Sequence, residues 1–163
     1  MKFKVCDTDE VINKLNNFSF EEMHIHHTGD ILQHVDFNGE NALHLQNKMK
    51  YHDINERNLE DISQHFTLMP DGSWVTGREL YMAPQSIKNH NKGSLCIYLL
   101  GDFNEGKDKL EGKQLQSFIK FIASFVERNN EFSDIAFHKD IENTKCPGTG
   151  LDKVELFKDV EEY

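Results

Sequence analysis

With 163 residues and 37% apolar content, the chain can close one sizeable core and is too short for two, so a single domain over residues 1–163 is expected. Its 18 Lys and Arg stand against 28 Asp and Glu, and the resulting net charge of −10, with no basic run, excludes a nucleic-acid partner. The three cysteines, Cys6, Cys96 and Cys146, are too scattered for a disulfide framework, and the longest apolar run, Leu95 to Leu100, falls far short of the ~20 residues that span a bilayer.

Membrane insertion is therefore not expected. The amino-terminal Met1-Lys2-Phe3-Lys4-Val5-Cys6 runs straight into Asp7, Asp9 and Glu10 and lacks the apolar stretch of a secretory signal, which predicts cytoplasmic synthesis without a signal peptide.

In chain order, Asp7 or Thr8 can cap a helix over residues 8–16 with Val11, Ile12 and Leu15 on one face. Phe20 to His27 alternates loosely and predicts a strand ending at Thr28-Gly29-Asp30, followed by a loop over 30–40. Leu43, Leu45, Met49 and Tyr51 predict a helix from Asn41 to His52. Gln64 to Met69 and Ser73 to Gly77 flank Pro70-Asp71-Gly72, whose Asp-Gly supplies the backbone freedom a hairpin turn requires. Ser94 to Leu100 suits a central strand buried on both faces. Leu115, Phe118, Ile119, Ile122, Phe125 and Val126 recur at helical spacing and predict an amphipathic helix over 111–128. A short strand from Ile135 to His138 and a helix capped by Asp152, running to about Val160, complete the chain. This alternation predicts an α/β fold with one mixed central β-sheet flanked by α-helices.

The chemistry is concentrated in two places. His138 and Cys146 lie eight positions apart in a turn-rich stretch ending in Pro147 and Gly148, and the strand near residue 25 carries His24, His26 and His27. Taken together they suggest a three-ligand metal site, which differs from a closed structural site in leaving a coordination position open; no Cys-x-x-Cys pair is present to close it. Successive strand residues point to opposite faces, so His24 and His26 share one face and His27 takes the other. His34, His44, His52 and His90 read as surface or groove residues.

Several ordered segments then carry a family likeness: His26-His27-Thr28; Met49 to His52; Asp61 to Phe66 with Asp71-Gly72 and Gly77-Arg78; Asn91 to Ser94 leading into Leu99 to Phe103; and His138 to Gly148. The sequence resembles the zinc-dependent N-acetylmuramoyl-L-alanine amidases and peptidoglycan recognition proteins, a group that includes phage-type endolysin amidase domains and autolysins. The likeness covers about residues 20–150. It implies a Zn2+ site formed by His26, His138 and Cys146, with His24 and His27 left to packing or to hydrogen bonds behind the ligands. It implies hydrolysis of the amide between N-acetylmuramic acid and L-alanine, with peptidoglycan as partner, action on the bacterial cell wall after release from the cytoplasm, and a monomeric enzyme. The alternatives are a non-catalytic peptidoglycan-binding module of the same fold and, less favoured by a three-ligand count, a zinc-dependent interaction scaffold.

Two departures from the family pattern bear on catalysis. Gln64 stands where many members carry a tyrosine, and Tyr98 stands where others carry a glutamate in the central strand. The expected catalytic group is accordingly Tyr98, Thr144 and His65. Thr144 is read either as a donor to the tetrahedral intermediate or as a hydroxyl that stabilises the turn before Cys146.

Overall fold

The computed structural model of the chain describes residues 2–128 and 131–163. Its elements are β1 (Val5–Cys6), α1 (Thr8–Lys14), β2 (Glu22–His27), α2 (Ala42–Asn55), β3 (Phe66–Leu68), β4 (Trp74–Thr76), β5 (Ser94–Leu99), α3 (Gly112–Glu127), β6 (Ile135–Phe137), α4 (His138–Ile141) and α5 (Lys153–Glu161). The strands form one six-stranded sheet in the order β1-β4-β3-β5-β2-β6. β1 and β3 pair with β4 antiparallel, whereas β3, β5, β2 and β6 run parallel. The fold is a single-domain α/β arrangement with the mixed sheet that the element order predicts.

Local sequence explains most of the boundaries. Asp7 caps α1 by accepting from Glu10 N at 2.8 Å, and Glu10 accepts in return from Asp7 N at 3.2 Å, which satisfies two otherwise unpaired donors. Asp152 caps α5 through Val154 N and Glu155 N. The Asp71-Gly72 turn joins β3 to β4, with Gly72 at φ 87°. Three expectations are corrected. The edge strand β1 lies within a segment with no strand pattern. β2 begins two residues later than Phe20. His138, expected as the last residue of a strand, instead opens the single-turn helix α4.

Side-chain parity divides the sheet into two chemically different faces. Met23 and Ile25 of β2, Phe66 and Leu68 of β3, Leu95, Ile97 and Leu99 of β5, and Ile135 and Phe137 of β6 join Phe118, Phe121, Ile122 and Phe125 of α3 in the main core, which α1 and α5 complete. The opposite face is covered by α2, whose Ala42, Leu45 and Met49 pack with Phe3, Ile62, Met69, Val75 and Leu100. On that second face the alternate residues of the parallel strands are polar: His24 and His26 of β2 lie in register with Cys96 and Tyr98 of β5. Burial on one side of the sheet thus fixes which histidines emerge on the other.

Candidate metal centre

His26 leaves β2 on the α2 side, and its ring stacks on that of its register partner Tyr98, with centroids 4.8 Å apart and planes 14° from parallel. His138 arrives from α4, directly after β6, and its ring centroid lies 4.6 Å from that of His26. Cys146 closes the group from the following turn, placing Sγ 3.6 Å from His26 Nδ1. One ligand atom from each of these three residues lies within 4.8 Å of the others. Two imidazoles and a thiol are a donor set that suits zinc, and three of them leave one tetrahedral position open.

The turn is held by its backbone. Lys139 N donates to Cys146 O at 2.8 Å, Lys139 Nζ donates to Gly148 O at 3.0 Å, and Gly148 N donates to Lys145 O at 2.6 Å. Gly148 has φ 126°, and a Cβ there would collide with the backbone carbonyl of Phe103, so the close approach of two chain segments requires glycine. Thr144 Oγ1 accepts from Cys146 N at 3.3 Å, which places it as a stabiliser of the turn while leaving its own O–H to donate.

His138 and His26 are both oriented from behind. His138 Nε2 donates to Glu142 Oε1 at 2.9 Å, one helical turn on, which leaves Nδ1 for a metal; this carboxylate behind an imidazole recurs in zinc sites. Glu142 was not singled out in the sequence, although its i, i+4 spacing from a histidine is a legible signal. His26 Nε2 lies 2.7 Å from Ser86 Oγ, and no local pattern marks Ser86. Burial, reinforced by the neighbouring His138 and His24, holds His26 well below the ordinary histidine range, so it is neutral and has a lone pair to offer. Burial pushes the Cys146 thiol up to about 12, opposed by the His27 N–H that donates to Sγ at 3.4 Å and by Lys139. A metal entering this group must therefore displace a proton from Cys146.

Tyr98 is half-buried beside His26. Desolvation raises its phenol, while a hydrogen bond with Ser63 and the nearby Arg57 act in the opposite direction. At neutral pH it is a protonated donor and not a base. Arg57, which sequence reasoning missed, is tied to Asp53 at 3.0 Å and lines a small pocket with Tyr98, His27 and His52. Gln64 is buried and spent inside the protein, donating to Thr67 Oγ1 and accepting from Ser63 Oγ, both at 2.9 Å.

His65 does not join the group as a free base. Its Nε2 donates to Met82 O at 2.8 Å and its Nδ1 accepts from Cys96 N at 3.1 Å, so both nitrogens are committed to backbone. Burial lowers it to about 4. His27 is likewise occupied, its Nδ1 accepting from Phe103 N at 3.1 Å. Among the described residues no helix is long and apolar enough to cross a membrane.

The chain is similar to known proteins over most of its length. The family described as N-acetylmuramoyl-L-alanine amidase matches residues 9–149. Peptidoglycan-recognition protein SC2 of Drosophila melanogaster is 28% identical over 109 residues, which cover 66% of this chain, and the chain spans 58% of that protein's length. The solved structure of N-acetylmuramoyl-L-alanine amidase LysC from Clostridium intestinale URNW superposes with a TM-score of 0.68 at 25% identity, covering 89% of this chain and 87% of that one. Drosophila PGRP-LB, solved as a tyrosine-to-phenylalanine mutant in complex with tracheal cytotoxin, shares the fold with a TM-score of 0.70 at 22% identity, covering 82% of this chain and 78% of that one.

Proposed function

Because the chain belongs to the N-acetylmuramoyl-L-alanine amidase family, we propose that it is a zinc-dependent amidase cleaving the bond between N-acetylmuramic acid and L-alanine in peptidoglycan. The observation that carries this reading is the convergence of His26, His138 and Cys146 within 4.8 Å, all inside the matched region. Zinc held there would supply Lewis acidity toward the scissile carbonyl and lower the pKa of a water to about 7.

The chain's own residues supply the remainder. His26 and His138 would present Nδ1 to the metal, backed by Ser86 and Glu142. Tyr98, kept protonated by burial, exchanges its bond to Ser63, whose own hydrogen goes to Gln64, for one to the oxygen that gains charge as the carbonyl carbon becomes tetrahedral. It is the phenol of this site, in place of a tyrosine at position 64. Thr144 offers a second donor from the edge of the turn. The protein works as a monomer on the bacterial cell wall.

One observation favours a second reading, a peptidoglycan-binding module without turnover: Tyr98, a donor, occupies the central-strand position at which a carboxylate base would stand. Incubating the purified protein with peptidoglycan and measuring new L-alanine amino termini, with and without chelator and with Cys146→Ser, separates the two. Turnover that chelator and Cys146→Ser abolish supports the amidase. Tight binding without product supports the module, and chelator-resistant turnover refutes the zinc mechanism.

A further inference from the structure

Glu22, His24 and His26 occupy alternate positions of β2 and project from the same face of the sheet. Between the two histidines stands Ser86, from the loop that precedes β5. Its Oγ lies 2.9 Å from His24 Nδ1 and 2.7 Å from His26 Nε2, and His24 Nε2 lies 2.9 Å from Glu22 Oε2. Ser86 is itself pinned, because Asn91 Oδ1 accepts from the backbone N–H of both Ser86 and Ile87, at 2.7 and 2.9 Å. The four side chains form one hydrogen-bonded line from an outer carboxylate to the metal group.

Counting protons gives that line a direction. A carboxylate only accepts, so His24 Nε2 carries the hydrogen that faces Glu22. The neutral ring then has a lone pair at Nδ1, which must accept from Ser86 Oγ–H. Ser86 has one hydrogen; once that is given away, its two lone pairs accept from His26 Nε2–H and from the buried Cys96 S–H, which also bonds this hydroxyl. His26 Nδ1 is left bare, and it is this atom that lies 3.6 Å from Cys146 Sγ. The reverse order would set two lone pairs against each other 2.9 Å apart at Glu22.

We propose that Ser86 is a positioning residue which, together with His24 and Glu22, locks His26 in the Nε2–H tautomer and so selects Nδ1 as its metal ligand. Its value to catalysis rests on the amidase reading above, but the tautomer is a property of the metal-free chain. The two can therefore fail separately.

Long-range 15N–1H spectra of the metal-free protein at neutral pH read the tautomer directly. The expected result is a His26 ring protonated at Nε2 and bare at Nδ1, with His24 protonated at Nε2 only. A His26 proton on Nδ1, or a doubly protonated His24, overturns the proposal. Ser86→Ala should mix the His26 tautomers and weaken zinc binding about 10- to 100-fold in competition with a chromophoric chelator, the scale for losing a partner behind a ligand. Ser86→Thr keeps the hydroxyl and should restore both. Glu22→Gln, at the outer end of the line, provides a variant far from the ligands: an amide donates as well as accepts, so His26 should again sample both tautomers. Wild-type tautomer and affinity in both Ser86→Ala and Glu22→Gln would refute the proposal. A wild type that binds no zinc would refute the amidase reading, while the spectra would still decide the tautomer.

Discussion

Acid should weaken this fold through His65. The residue is 1% exposed, and burial lowers its pKa from the ordinary 6.5 to about 4. The unfolded chain therefore takes up a proton between those values that the folded chain refuses, so stability is fully present above pH 6.5 and is lost as pH falls toward 4. At about 1.36 kcal/mol per unit, the shift corresponds to a limiting loss of roughly 3 kcal/mol, of which about 2 kcal/mol is gone by pH 5. No discount for solvent screening applies to so enclosed a ring. Urea midpoints at pH 7.5 and pH 5, measured on metal-free wild type and on His65→Gln, isolate the effect, since the other buried histidines are common to both. The glutamine can still donate to Met82 O but loses the bond from Cys96 N, a pH-independent cost of about 1 kcal/mol. It should then lose about 2 kcal/mol less than wild type on acidification. Equal losses in the two proteins would show that His65 is protonated within the fold, and the argument from burial would fail.

Phe118, fully enclosed between α3 and the sheet, should cost about 3 to 5 kcal/mol when changed to alanine, read from denaturant midpoints; a change below about 0.5 kcal/mol would place it at the surface. Tyr98→Phe should lower amide turnover by about 10²- to 10³-fold, the scale of one lost oxyanion donor, whereas Tyr98→Glu should raise it if a carboxylate at that position reaches the attacking water. Unchanged turnover in Tyr98→Phe would remove the phenol from the mechanism. Gly148→Ala, with its Cβ driven into the Phe103 carbonyl, should displace the Cys146 turn and weaken zinc binding measured by chelator competition; undiminished affinity would show that the turn is set elsewhere.

The features that the sequence revealed were those with dense local signals. Six apolar residues at helical spacing defined α3 almost to its ends, Asp-Gly located the hairpin, and a run without polar residues marked β5. β1 escaped because two residues have no period, and its existence depends on the edge that β4 offers. α4 escaped because a single turn needs only four residues, and Ile135 to His138 alternates well enough to pass for a strand. At the site, His26, His138 and Cys146 were legible as a set through the ordered family segments, and the structure brings them together. His65 was read as part of the catalytic group, and the backbone partners that occupy its two nitrogens, Met82 and Cys96, had no signal in the sequence because they are 17 and 31 positions away. Ser86 carried no signal for the same reason: its partners are 60 and 62 positions back along the chain.

The place of β6 in the sheet has a consequence for how the centre comes apart. This strand is the outermost beside β2 and pairs through only three residues, Ile135, Ala136 and Phe137, and His138 follows it at once. Two of the three metal-site residues are thus mounted just beyond an edge strand that is paired on one side only. Excursions that peel β6 from β2, far smaller than global unfolding, separate His138 and Cys146 from His26 while the parallel core of β3, β5 and β2 stays intact. The lifetime of the assembled group is then set by this edge, and the amide hydrogen of Ala136 keeps its clock, since Ile135 N–H and Phe137 N–H donate instead to Phe132 O and Asp140 Oδ2.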